Sequence, residues 1–285
     1  MNAFPSRSVI PFLHGRSIRT LRAGPTNTAL RWLKAAAIII GLTASMFTVT
    51  SEAKEVHHPI RNIVLVHGAF ADGSSWSEVI TAMQRKGYHV TAVQNPLTSL
   101  ADDVAATRRV LARQSGDVIL VGHSYAGAVV TEAGNADNVK GIVYLSALVP
   151  DSGESVSDLL TRLKAPMDGL KPDADGLIWL DDPAAYRQVM AGDVPEPRAR
   201  VLAATQVPIS TAAFEGKVSH AAWHDKPTWY LVTEQDHALK TPVQRELAQL
   251  IGARVTSVKS SHMSLVSHPA VVVNLIERAA KEAHR

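Results

Sequence analysis

Val118-Ile-Leu-Val-Gly-His-Ser-Tyr-Ala-Gly127 is the stretch from which the rest of the chain can be read. Four apolar residues in a row predict a buried strand, and a turn built of small residues around Ser124 follows at once. A strand that reverses sharply into a helix brings two backbones together, so the positions two before and two after the serine must be small. Gly122 meets that need on one side. Ala126 meets it on the other, where a second glycine commonly stands, and Gly127 one place further on reads as extra slack. Such a turn holds the serine hydroxyl at the end of a sheet, beside the free N–H groups of a starting helix.

The flanking sequence has the rhythm such a strand requires. Residues 61–66, 89–93, 139–145, 228–233 and 254–258 read as further buried strands. Apolar residues at helical spacing fall between them, over about 74–86, 99–114, 124–134, 242–251 and 269–283. Ser74 or Ser75 is the expected cap of the first of these helices. Strand and helix in alternation predict an α/β fold, a mostly parallel sheet of about six strands flanked by helices. Between residues 151 and 226 the rhythm breaks. Pro166, Pro172, Pro183, Pro195, Pro197 and Pro208 punctuate short helical pieces near 156–163 and 183–190. An insertion this long in an α/β domain reads as a helical lid or binding segment.

The chain has 285 residues and no cysteine, which excludes disulfides, thiolate metal sites and a cysteine nucleophile together. Export is not excluded, because a domain of this size needs no covalent staple. Residues 1–34 carry six basic side chains and no acid, and an uncharged, mostly apolar run of about 15 residues follows from Ala35 to Val49. Ser51-Glu-Ala53 places small residues at the positions a cut after Ala53 would need. Residues 1–53 are therefore expected to be a leader and 54–285 the folded domain, exported to a periplasm or secreted. A membrane anchor or organelle presequence is the alternative, since the run is short for a span. Of the 29 basic and 26 acidic side chains, six and one fall within residues 1–53, leaving 23 and 25. The pI near 9.2 thus belongs to the leader and gives no support for nucleic-acid binding by the domain.

Three residues that could share a reaction follow predicted strands, at the edge where open parallel sheets build their sites. Ser124 follows one, Asp236 follows residues 228–233, and His262 follows residues 254–258. A serine hydroxyl is a poor nucleophile until a base can take its proton, and His262 is the expected base. The imidazole in turn needs an acid to fix its tautomer, and Asp236 is the expected one. Glu234 and Asp151 are the rival acids, and His237 and His268 the rival bases. The tetrahedral oxyanion needs preorganised donors. The backbone N–H of Tyr125 is one candidate and that of Ala69 the other, with Phe70 as the near alternative. His67 and His123 border the site in packing or hydrogen-bonding roles. There is no Gly-x-x-x-x-Gly-Lys loop, and neither a His-x-x-x-His pair nor a histidine–carboxylate cluster is recognised at ligand spacing, so neither metal nor cofactor is expected.

Val64-Leu-Val-His-Gly-Ala69, Gly122-His-Ser-Tyr-Ala-Gly127 and Ser261-His-Met-Ser-Leu-Val-Ser-His-Pro269 resemble the α/β-hydrolase superfamily. The resemblance covers about residues 60–284. It is nearest to the cofactor-free branch of plant methyl esterases, hydroxynitrile lyases and bacterial esterases. It implies Ser124 as nucleophile, Asp236 as acid and His262 as base, with a lid inserted after the sixth strand of that fold's count. It also implies a sheet without the antiparallel N-terminal hairpin of longer relatives. Hydroxynitrile lyases of the branch carry a threonine where Gly68 stands and a lysine where Met263 stands. The resemblance therefore implies hydrolysis of a small to medium, apolar carboxylic ester. Lactone, thioester or carbon–carbon hydrolysis, lyase chemistry, or a ligand receptor of the same fold are the alternatives. The expected partner is a small-molecule ester, with membrane contact only through an uncleaved leader.

Overall fold

In the computed structural model the described residues are 59–165 and 169–283. The leader, its apolar run and Pro166 lie outside them. The first core strand, β1 (Asn62–Val66), pairs in parallel with β2 (His89–Val93) on one side and β3 (Val118–His123) on the other. β4 (Val139–Leu145) continues beyond β3. Numbering the two short lid strands β5 (Leu177–Ile178) and β6 (Ile209–Ser210), the sheet closes with β7 (Thr228–Thr233) and β8 (Arg254–Val258). The order is β2-β1-β3-β4-β7-β8, and every pair in this sheet is parallel.

Burial explains which sequences make which strands. β3 and β7 are buried along their whole length, β1 and β4 nearly so, and their sequences are close to continuous apolar runs. That is the pattern of strands covered on both faces. Apart from the buried Val93, the edge strands β2 and β8 hold only exposed and half-buried residues. Helices α1 (Ser77–Arg85) and α10 (Pro269–Glu282) pack on each other, as do α2 (Leu100–Leu111) and α3 (Ala126–Ala133), while α8 (Thr241–Leu250) lies against β7. Because the strands are parallel, their carboxyl ends share one edge. The chain steps to one side from β1 to β2 and to the other from β3 to β4, and this reversal places the loops after β1 and β3 side by side at that edge, where open parallel sheets build their sites.

The insertion between β4 and β7 holds α4 (Val156–Arg162), α5 (Pro183–Val189), α6 (Glu196–Thr205) and α7 (Thr211–Glu215). β5 and β6 pair antiparallel within it. The sequence reading recovers α4 and α5 but misses the ribbon, because two-residue strands carry no periodic signal. It also misplaces one cap. The chain enters α1 through a 3-10 turn, Gly73–Trp76, capped by Asp72, whose carboxylate accepts the Ser74 N–H at 2.6 Å. Neither Ser74 nor Ser75 does this. Among the described residues no helix is long and apolar enough to cross a membrane.

The reading of Gly127 as slack also needs correction. A Cβ there would lie 2.2 Å from the Leu148 carbonyl oxygen and 2.9 Å from the Ala147 Cβ, so α3 approaches the loop after β4 closely enough to require glycine. At Gly122 a Cβ would meet Val130 at 2.6 Å and the Ala126 carbonyl at 2.8 Å. Gly127→Ala should therefore destabilise the protein by about 1–3 kcal/mol, the usual cost of overpacking. Ala126→Gly should cost no more than about 1 kcal/mol of helix propensity and keep the fold. Urea unfolding of the two variants checks the order, and equal stability would show that the 147–148 loop gives way.

Candidate active site

Ser124 sits immediately after β3 with φ +56°, in the left-handed region that side chains other than glycine rarely adopt. Three backbone bonds hold it there. Its N–H donates to Leu145 O at 3.1 Å, and its carbonyl accepts Gly127 N–H at 2.9 Å and Leu148 N–H at 3.0 Å. A residue in this region costs on the order of 1–3 kcal/mol, which the surrounding fold must supply. Ser124 is half-buried while its neighbours on both sides are buried, so its side chain is the part of the turn that reaches open space. Gly68, in the loop after β1, packs directly on the turn. A Cβ at 68 would lie 2.7 Å from both the Ser124 Cβ and the His123 carbonyl oxygen.

The loops after β7 and β8 bring Asp236 and His262 together. His262 Nδ1 lies 2.7 Å from Asp236 Oδ2, and both side chains are almost wholly buried. The carboxylate is held from every side. Oδ1 accepts the N–H groups of Ala238 and Leu239, each at 2.8 Å. Oδ2 also accepts the Thr233 hydroxyl at 2.7 Å and Gln244 Nε2 at 2.9 Å. Burial works to raise the Asp236 pKa, but the His262 charge and these hydrogen bonds outweigh it and hold the carboxyl below its ordinary range. An ionised acceptor at Nδ1 fixes the His262 proton on that nitrogen and leaves Nε2 as the basic one.

The other histidines are settled by their partners. His123 is fully buried and donates from Nε2 to the His262 carbonyl at 3.0 Å, with the two rings 4.7 Å apart. Burial, and then the neighbouring His262, lower its pKa to about 3, so it stays neutral. His67 Nε2 accepts the Asn95 N–H at 3.0 Å, which places its proton on Nδ1, donating to Gly68 O at 3.0 Å. Burial lowers its pKa too. Both act as braces between loops. Among the described residues, no protein acceptor meets the backbone N–H of Tyr125 or Ala69, nor that of Phe70, which has φ +57°.

The rival residues lie elsewhere. Glu234 pairs with Arg245 at 2.9 Å and Asp151 with His224 at 2.8 Å. His237 is exposed and bonds Gln188 O at 3.0 Å, and His268 bonds Ser267 at 3.0 Å. The sequence reading passed over His220-x-x-x-His224, a spacing seen in metal sites. Here the two rings are 6.4 Å apart and bond different carboxylates, Asp225 and Asp151. No group of three or more metal-capable side chains forms among the described residues. Two residues around the site were missed outright, Gln244 and Asp103. Each is a fully buried polar side chain on the apolar face of its helix. That position is the signal that could have found them.

Residues 63–275 match the model of the alpha/beta hydrolase family, and the chain belongs to that family. It is 29% identical over 246 residues to the alpha/beta hydrolase nvfD of Aspergillus novofumigatus, covering 78% of this chain and 97% of that one. It is 35% identical over 119 residues to a carbendazim hydrolyzing esterase of a Nocardioides species, covering 37% of this chain and 49% of that one. A solved structure of the pyrethroid hydrolase PytH superposes with TM-score 0.66 at 21% identity, covering 79% of this chain and 99% of that one, and shows the shared fold.

The neutral His123 generates a prediction. Its folded-state pKa lies below the unfolded value near 6.5, so the unfolded chain binds the proton more tightly, and stability falls as pH drops through that window. At about 1.4 kcal/mol per pH unit, His123 should account for a loss of about 3 kcal/mol between pH 7 and pH 4. His123→Asn should lose less over that range, whatever its stability at pH 7. Urea denaturation against pH measures the slopes, and equally steep profiles would contradict the assignment.

Proposed function

We propose that the protein is a serine hydrolase that cleaves a small to medium, largely apolar carboxylic ester through an acyl-enzyme on Ser124. One observation carries the reading. The 2.7 Å bond between His262 Nδ1 and Asp236 Oδ2 is buried at the same sheet edge that holds Ser124 in its strained turn. Ser124 Oγ attacks the ester carbonyl carbon as His262 Nε2 takes the hydroxyl proton, and Asp236 stabilises the imidazolium. The carbonyl oxygen becomes an oxyanion facing the N–H groups of Ala69 and Tyr125. Collapse expels the alcohol, which receives the proton from His262. Water, deprotonated by the same nitrogen, then releases the carboxylic acid and restores the serine. The whole reaction consumes one ester and one water and yields one acid and one alcohol.

Support for an ester comes from the Nocardioides relative, whose name is that of an esterase. Support for an apolar substrate comes from the lid. Tyr186 donates its hydroxyl to Phe70 O at 3.2 Å, Met190 O accepts the Met263 N–H at 3.1 Å, and Phe214 meets the Tyr125 ring edge-on at 5.6 Å. All three are buried, so apolar and aromatic lid residues stand against the site loops, alongside the polar contact in which Asp193 accepts the Ser261 hydroxyl. Met263 beside His262 offers no ammonium to stabilise a departing cyanide, which favours hydrolysis over lyase chemistry. Residues 1–53 are proposed as a leader removed after Ala53 on export, which sequencing the amino terminus of the protein from its natural host would test by finding Lys54 first.

Hydrolysis of p-nitrophenyl esters of graded acyl length tests the main reading. The wild type should turn them over, with kcat/KM rising from acetate to a medium chain, and Ser124→Ala should lose at least about a thousandfold in kcat. Undiminished turnover in Ser124→Ala, or no turnover of any ester, would sink the proposal.

A further inference from the structure

We propose that Asp103 is a positioning residue for this site, a buried carboxylate that locks together the two loops supplying the oxyanion donors. The inference rests on the ester-hydrolase reading above and deepens it. Asp103 stands on the inward face of α2 among Leu100, Val104, Thr107 and Leu111, and it is fully buried. Among the described residues no cation pairs with it. An unpaired carboxylate is a costly group to bury, and a leucine would fill the space without that cost. Burial pushes its pKa up to about 6, against the hydrogen bonds it accepts and with Asp102 adding to the rise. What the carboxylate does in return is visible in its two partners.

Oδ2 accepts the Tyr125 hydroxyl at 2.9 Å, and Oδ1 accepts the Leu97 N–H at 2.8 Å. Tyr125 follows Ser124 and carries one proposed oxyanion donor on its backbone. Leu97, at φ +56°, closes the turn that leaves β2. Asn95 in that turn clamps His67 twice, giving its N–H to Nε2 at 3.0 Å and its side-chain amide to the His67 carbonyl at 2.9 Å. His67 lies two residues before Ala69, the other proposed donor. A continuous path of short bonds therefore joins the two donors through one side chain. The lid is seated on the same path, since Ser210 N–H in β6 donates to Leu97 O at 2.9 Å and Phe214 packs on the Tyr125 ring.

An oxyanion hole works only when its donors already stand about 2.7–3.1 Å from the position the oxygen will occupy. Releasing the Tyr125 hydroxyl and the 95–97 turn together frees both donors to drift, and a shift of about 1 Å costs on the order of a hundredfold in rate. Asparagine can replace the carboxylate without loss of geometry. Its oxygen accepts the Leu97 N–H and its amide donates to a Tyr125 hydroxyl turned around to accept. Alanine can do neither.

The full chain and its Asp103→Ala, Asp103→Asn, Tyr125→Phe and Ser124→Ala variants should be compared on one p-nitrophenyl ester, with sites counted by fluorophosphonate titration. An alkyl trifluoromethyl ketone, which forms a tetrahedral oxyanion on a serine, serves as the second probe. Asp103→Ala should lose about 10- to 100-fold in kcat per titrated site with KM within about threefold, and its affinity for the ketone should fall in parallel. Asp103→Asn should recover to within about threefold of wild type. Tyr125→Phe should lose kcat in the same manner by a smaller factor. If Asp103→Ala does not fold, Tyr125→Phe and Asp103→Asn decide the matter by the same criteria. Unchanged kcat in Tyr125→Phe and in any foldable Asp103→Ala, a loss confined to KM, or failure of asparagine to rescue overturns the proposal. Activity that persists in Ser124→Ala overturns the reading beneath it, and the proposal with it, by a result the other variants cannot produce.

Discussion

The backbone of Ser124 at φ +56° is the constraint on which the rest of the site depends. A serine does not hold that conformation alone, so the fold must hold it by close approach. Gly68 comes in from the loop after β1, Gly122 faces Val130 on the following helix, and Gly127 lies against Leu148, each at distances a methyl group would violate. The parallel sheet makes these approaches possible because it delivers the loops after β1, β3 and β4 to one edge in register. Stability is spent at this point to fix the direction of one hydroxyl, as in other sites where strain persists because its surroundings over-determine it.

Charge is arranged with equal economy around the turn. Asp236 accepts five hydrogen bonds counting that of His262, which keeps it ionised in a buried place. His67 and His123 lie close by and are kept neutral by burial, so neither competes with His262 for a proton. Each also serves as a strut, His123 to the backbone of His262 and His67 to the turn after β2. Gln244 completes the acid's cage from α8. Its oxygen takes the Thr233 N–H at 2.9 Å while its amide reaches Asp236 and the Leu239 carbonyl.

Much of this was legible in the sequence, for reasons that can be named. The central strands are apolar runs bounded by glycine, proline or polar turns, and Val139–Leu145 and Thr228–Thr233 read to the residue. Asp236 and His262 were reachable because each stands in a polar loop just past a strand, the one place a parallel sheet gathers side chains from distant parts of the chain. What stayed hidden depends on partners far away in sequence. Gly127 looked like slack because Leu148, which makes glycine necessary, is on another loop. The ribbon of Leu177–Ile178 and Ile209–Ser210 is visible only as a pair. Asp103 and Gln244 had an unheeded signal, a polar residue on an apolar helix face, whereas the groups they hold, Tyr125 and Asp236, could be named only with the fold in hand.

In the proposed reaction Ser124 carries the acyl group during turnover. The most direct measurement mixes the protein with a slowly deacylating p-nitrophenyl carbamate, quenches in acid within one turnover, and maps the modified peptide by mass spectrometry. One carbamoyl adduct per chain is expected, on Ser124, formed at the rate of p-nitrophenol release. Release of p-nitrophenol with no adduct, or with the adduct on another residue, would contradict it.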